Sequence, residues 1–105
     1  MKTILQSLIG KKLLDAIPAE QGVRMLFDDG TVLVSFSKTS IICDYKIKYS
    51  DLLDRTVKSI NEEIYSIKIY FSTSVSVLIS LHGEESTGPE FLELVLPTGQ
   101  IIVWN

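Results

Sequence analysis

A displacement of 44 residues lays Ser7–Asp28 on Asp51–Ser72 without a gap. Leu8 falls on Leu52, Leu13 on Val57, Ala16 on Ile60, Val23 on Ile67, Met25 on Ile69 and Phe27 on Phe71. Self-similarity at a fixed period constrains a chain of this kind more than any single residue, because it reports the architecture directly. One copy is too small to bury its own apolar face. Two copies, about 7–50 and 51–105, are therefore expected to pack together by approximate twofold symmetry as one domain spanning 1–105.

The 105 residues suffice for a single core, and 46% of them are hydrophobic. The longest wholly apolar stretch is only a few residues, so no membrane-spanning helix and no membrane partner are expected. Lys2 precedes Ile4 and Leu5, but Gln6 and Ser7 break the run, which is too short for a signal-peptide core. Together with the lone Cys43, this leads to an expected cytoplasmic location. A net charge of −3 argues against a nucleic-acid partner. Residues 1–68 hold all 10 Lys and Arg against 9 acids, whereas residues 69–105 hold Glu84, Glu85, Glu90, Glu93 and no base. Such an acidic final third suits a basic protein partner or a solvated loop.

Along the chain, Ile4, Leu5, Leu8 and Ile9 have helical spacing and Gly10 supplies a stop. Lys12–Ile17 reads as a strand closed by Pro18, and Val23–Phe27 as a second. Asp28-Asp29-Gly30 then makes a hairpin turn, with Val32, Val34 and Phe36 continuing the inward face. Ile41–Tyr49 alternates apolar and polar residues as an antiparallel strand should. The second copy repeats the scheme: a capped turn over Leu52–Arg55, strands at Val57–Ile60 and Ile64–Phe71, and a return strand from Val75 to Leu81. That return strand matches the first copy best at a displacement of 45, which predicts a second turn one residue longer. A loop over His82–Glu90 leads to a closing hairpin, Phe91–Leu96 with Ile101–Trp104. The expected fold is α+β, mainly antiparallel sheet of about eight strands built from two related meanders, with one or two short helices.

Candidate sites are few. His82 with Glu84 and Glu85 could hold a metal or move a proton, but a metal site needs further fixed ligands and the chain has no other His. The alternative is an exposed loop histidine, and neither a metal nor a cofactor is expected. Asp28 and Asp29 face Ser72 and Thr73 in the second copy, so a turn is required there, not acids. Cys43 falls in register with Ile41, Tyr45 and Ile47 and reads as a small core hydrophobe. Arg24 and Lys68 occupy equivalent outward positions that Lys46 and Lys48 could join into a basic stripe. Leu26, Leu33, Tyr70 and Leu78 alternate out of phase with the core and would form an exposed apolar patch, unless another layer covers them.

Leu8-Ile9-Gly10, Phe27-Asp28-Asp29-Gly30, Gly88-Pro89-Glu90-Phe91 and Gly99-Gln100-Ile101-Ile102-Val103-Trp104 carry a resemblance. The chain resembles small, uncharacterised bacterial single-domain proteins with a Leu-x-Gly, strand, Phe-x-Asp-Gly turn, strand pattern ending near a Trp. The second copy departs from it, with Asp54 for the glycine and Ser72-Thr73-Ser74 for the acidic turn. Some similar proteins lie beside toxin loci as immunity proteins, so the resemblance implies an interaction role.

The expected function is a non-enzymatic protein-binding module, immunity-like, holding a basic partner or toxin. It would use His82, Glu84, Glu85 and Glu90 together with Leu26, Leu33, Tyr70 and Leu78. The competing expectations are a small metal- or carboxylate-dependent hydrolase around His82, and a homo-oligomeric structural protein, for which a homodimer is the simplest form.

Overall fold

Three residues, Asp28-Asp29-Gly30, reverse the chain between strand β2 (Val23–Phe27) and strand β3 (Val32–Ser35). Phe27 N–H donates to the Thr31 carbonyl at 2.9 Å, Gly30 N–H donates to the Phe27 carbonyl at 3.0 Å, and Gly30 has φ +92°. This is the three-residue hairpin in which a left-handed glycine closes the loop. It sets the β3 register: Met25 lies opposite Leu33, and Leu26 opposite Val32. Leu33 is therefore a core residue at 1% exposure, and Val32 and Val34 face outward. The expectation of an outward Leu33 is corrected here. One residue of register exchanges the two faces of a strand.

The computed structural model describes residues 4–82 and 90–104. The remaining strands are β1 (Leu13–Pro18), β4 (Thr39–Ile42), β5 (Ser59–Glu62), β6 (Ser66–Tyr70), β7 (Ser76–Ser80), β8 (Leu92–Val95) and β9 (Ile101–Trp104). Two 3-10 turns, Ile4–Leu8 and Tyr49–Leu52, are the only helical elements among the described residues. The fold is mainly antiparallel sheet; the helical part of the expected α+β class reduces to those turns. A five-stranded sheet has the order β1-β2-β3-β8-β9 and a four-stranded sheet the order β4-β7-β6-β5.

The inner faces share one core. Val23, Met25, Phe27, Leu33, Leu92 and Leu94 come from the first sheet; Ile60, Ile67, Ile69, Val77 and Ile79 come from the second. Fully burying side chains of this size stabilises by about 1.5–3 kcal/mol each before chain entropy is set against it. Leu8 and Leu52, both at 0% exposure, seal the core from the two 3-10 turns. Gln6 fixes the first of these, donating from Nε2 to the Ile60 carbonyl at 3.2 Å and to Glu62 at 2.9 Å.

The sheets are joined along one side by segments 10–13 and 54–57. Gly10 N–H donates to the Val57 carbonyl and Asp54 N–H to the Leu13 carbonyl, at 2.8 and 2.7 Å. Leu13 N–H donates to the Arg55 carbonyl and Val57 N–H to the Lys11 carbonyl, both at 2.9 Å. Gly10 and Asp54 both have positive φ, +91° and +68°. On the other side β3 passes into β4 through a three-residue corner, 36–38. There the buried Ser35 hydroxyl and that of Thr39, 2.6 Å apart, share the Ser37 carbonyl at 3.0 and 2.9 Å.

Two further readings change. The second hairpin loop, Ser72-Thr73-Ser74, also has three residues, since Phe71 N–H donates to the Val75 carbonyl at 2.9 Å; it is not longer than the first. Thr31, Leu33 and Ser35 are buried, as are Val75, Val77 and Ile79. The strand expected over Ile41–Tyr49 stops at Ile42, because that residue pairs with Ser76, where β7 begins. Cys43 lies beyond it, half-buried against the core.

Gly22 lies against the backbone of the corner, where an added Cβ would come 1.8 Å from the Ser35 carbonyl oxygen. Gly22→Ala is expected to cost about 3 kcal/mol or more in a urea titration, because backbone must move to admit the methyl group.

Asp29 closes the first hairpin: Oδ1 accepts from Thr31 N–H at 2.9 Å and Oδ2 lies 2.6 Å from Lys11 Nζ. Partial burial alone would raise its pKa, but the Lys11 ammonium and the Thr31 donors outweigh burial and lower it from 3.8 to about 2. The folded form binds its proton less readily than the unfolded chain. The resulting stability is complete above pH 3.8 and is lost as pH falls through about 2. Asp29→Asn should lower stability by about 0.5–1 kcal/mol at neutral pH, as expected for a solvent-screened pair. Chemical denaturation between pH 4 and 2 should show a shallower loss in the variant than in the parent chain.

Candidate functional site

The hairpin joining β5 to β6 turns through Glu63-Ile64-Tyr65-Ser66, closed by Glu63 N–H donating to the Ser66 carbonyl at 2.8 Å. Ile64 and Tyr65 project from it, 83% and 61% exposed. Leu81 N–H donates to the Tyr65 carbonyl at 2.8 Å, drawing the chain after β7 alongside the turn. That pairing brings His82 onto Tyr65: their rings stack with centroids 4.8 Å apart and 12° between planes. The His82 N–H donates to Ser80 Oγ at 3.2 Å, which fixes the backbone beneath the ring.

The stack stands at one end of a depression of about 440 Å³ on the outer face of the four-stranded sheet. Strand register builds its floor. Lys68 lies opposite Leu78, Leu78 opposite Ser40, and Ser66 opposite Ser80. Lys38 and Glu63 line the same depression. Lys38 is held in place because its carbonyl accepts from Ser80 N–H at 3.0 Å. Toward the other end of the face, Tyr70 lines a second hollow with Lys58, Ser59, Ser72 and Thr73. The surface is therefore a hydroxyl-rich sheet with a half-buried leucine, two lysines, a carboxylate and a stacked aromatic pair at its rim. Amphipathic rings beside small polar groups suit contact with another polypeptide.

The expected site residues are distributed unevenly. Tyr70 and Leu78 share this outer face and His82 lies at its edge. Leu26 lies on the outer face of the other sheet, paired with Val32 and Asp15. Leu33 is in the core, so no single patch contains all four apolar residues. Glu90 is half-buried at the start of the final hairpin. Glu84 and Glu85 lie outside the described residues. The basic stripe is also divided, with Arg24 on the five-stranded sheet and Lys68 on the four-stranded one. Lys46 and Lys48 belong to the irregular segment after β4. Among the described residues no group of three His, Cys, Asp or Glu side chains is placed to hold a metal ion. No described helix is long and apolar enough to cross a membrane.

Sequence does not single out Ile64 and Tyr65, because they read as the start of a long strand over Ile64–Phe71. A signal was present. At the 44-residue displacement they fall on Glu20 and Gln21, so the second copy carries Ile-Tyr where the first carries an acid and an amide.

No family model matches the chain, and neither a curated protein nor a solved structure matches it.

Proposed function

We propose that this protein is a non-enzymatic protein-binding module whose contact surface is the outer face of the four-stranded sheet. The observation that carries the reading is the Ile64-Tyr65 turn, with two large side chains held in solvent and His82 stacked against one of them. Exposing an apolar pair on a closed turn has no benefit for folding, whereas rigid aromatic anchors are what protein interfaces use. His82, which precedes the acidic residues Glu84, Glu85 and Glu90 in the sequence, stands at this same rim. A partner with basic groups around an apolar recess fits the arrangement. The immunity role implied by the family resemblance is one form of this reading, with a basic toxin as the partner.

We further infer that the scaffold presenting this surface is two halves related by an approximate twofold axis near the Lys12–Thr56 bridge. The support is reciprocity. Under the 44-residue displacement the Leu13-to-Arg55 hydrogen bond becomes the Val57-to-Lys11 bond, and the Gly10-to-Val57 bond becomes the Asp54-to-Leu13 bond. The fourth strands are exchanged reciprocally: β4, which follows β3, pairs with β7, and β8, which follows β7, pairs with β3. In this reading Asp54 stands where the other half has Gly10, in a backbone conformation that favours glycine.

Two measurements address these statements. Quantitative mass spectrometry of proteins cross-linked in the native host should show a partner enriched with the parent chain and depleted at least about tenfold with Ile64→Ser/Tyr65→Ala. Unchanged recovery with a folded double variant would remove the surface from the proposal. For the scaffold, Asp54→Gly should be neutral or stabilise by up to about 1 kcal/mol despite the added chain entropy, read from the thermal midpoint. A large loss would show that Asp54 is held by something other than its backbone geometry.

A further inference from the structure

The outer face of the five-stranded sheet differs in character from the surface just described. None of its residues is buried. Two cross-strand rows can be read from the register. One runs Ile17, Arg24, Val34, Glu93, Val103; the other runs Asp15, Leu26, Val32, Val95, Ile101. Seven of these ten are apolar, and Ile17, Val103 and Ile101 are 49%, 40% and 57% exposed. Two opposite charges stand in the first row, Arg24 on β2 and Glu93 on β8, one strand to either side of Val34 on the central strand. About 9.6 Å, two strand spacings, separates those strands. A largely apolar, exposed sheet face is a surface that a partner can cover.

We propose that a second copy of this chain covers the face, forming a symmetric dimer about a twofold axis that runs parallel to β3 between the two sheets. Rotation about that axis keeps β3 on β3 and exchanges the strands on either side. Val34 then meets Val34 of the other protomer, Leu26 meets Val95, and each Arg24 meets a Glu93, so two ion pairs form. An axis perpendicular to the strands would set Arg24 on Arg24 and Glu93 on Glu93, which like-charge repulsion disfavours. The Arg24–Glu93 pattern therefore favours this orientation, with Asp15 at the margin of the face against Ile101. A closed twofold contact requires a self-complementary patch, and this row is one. Stacked sheets cross at about 30°, which displaces side chains one strand from the axis by only about 2.4 Å, within reach of Arg and Glu. The face measures roughly 24 Å by 15 Å from strand spacing and rise, below the size of a stable specific interface, so the contact is a weak one. The dimer is accordingly reversible and concentration-dependent.

Sedimentation equilibrium of the full chain tests this. The parent protein should pass from its 11.8 kDa mass toward twice that value as concentration rises to about 1 mM. Arg24→Glu alone and Glu93→Arg alone should each weaken dimerisation at least about tenfold, because each sets like charges together twice. An equimolar mixture of these two variants should restore the dimer, since each cross-pair is then opposite in sign. Circular dichroism confirms that the variants are folded. A strict monomer at the highest concentration overturns the proposal. So does a dimer that is indifferent to both charge changes, the behaviour expected of assembly through the β9 edge, and so does a mixture that stays monomeric.

Discussion

The seam between segments 10–13 and 54–57 is the contact on which the rest of the fold depends. It brings together the edges of the two sheets: Leu13 opens the edge strand β1, and the chain runs on from Val57 into the edge strand β5 at Ser59. Four backbone hydrogen bonds of 2.7 to 2.9 Å join them there. Forming those bonds requires the chain to turn sharply out of each 3-10 helix, which is why Gly10 and Asp54 adopt positive φ. The seam holds one side of the core while the Ser35–Thr39 corner holds the other. Leu8, Leu13, Leu52 and Val57, all at 0–1% exposure, fill the space between. Hydrophobic burial supplies the driving force, but the ladder decides which edges meet.

Much of this was legible in sequence, and the failures share one cause. The period of 44 placed Leu8 with Leu52 and Phe27 with Phe71, and all four are buried. Alternation located the strands, because a half-buried strand leaves a period of two regardless of its partners. Partner choice leaves no such mark. Leu33 reads as outward because the inward face is continued at Val32, whereas Phe27 pairs with Thr31 across the three turn residues, so Thr31 and Leu33 continue it. The strand that alternation suggests over Ile41–Tyr49 is too long because its end is fixed by where β7 begins, 34 residues beyond Ile42. The depression was hidden for the same reason. Its lining comes from β4, β6 and β7 and the chain beside them, and only sheet order brings those together.

The inner faces of the two sheets are alike and the outer faces are not. Val23, Met25 and Leu33 have Ile67, Ile69 and Val77 as counterparts, all within 1% exposure. Outside, at the same displacement, Arg24 falls on Lys68, Leu26 on Tyr70, and the polar Glu20-Gln21 pair on Ile64-Tyr65. A shared core demands the first kind of agreement, because interiors tolerate little change in volume. Nothing in folding demands the second kind of difference. One scaffold thus offers an apolar face with self-complementary charge and a hydroxyl-rich face with an aromatic rim.

Those two faces lie on opposite sides of one core, and this bears on how they would act together. If the five-stranded faces meet about a twofold axis, the four-stranded faces point away from each other, and neither Tyr65 nor Leu78 lies near the contact. Dimerisation then leaves the proposed partner surface open and duplicates it. A partner that is itself repeated or immobilised would meet two identical sites at a fixed separation, and its residence would rise by effective concentration with no new contact. A weak dimer would make that gain depend on the abundance of the protein. The charge pair Arg24–Glu93, remote from Tyr65, would set the concentration at which the gain begins.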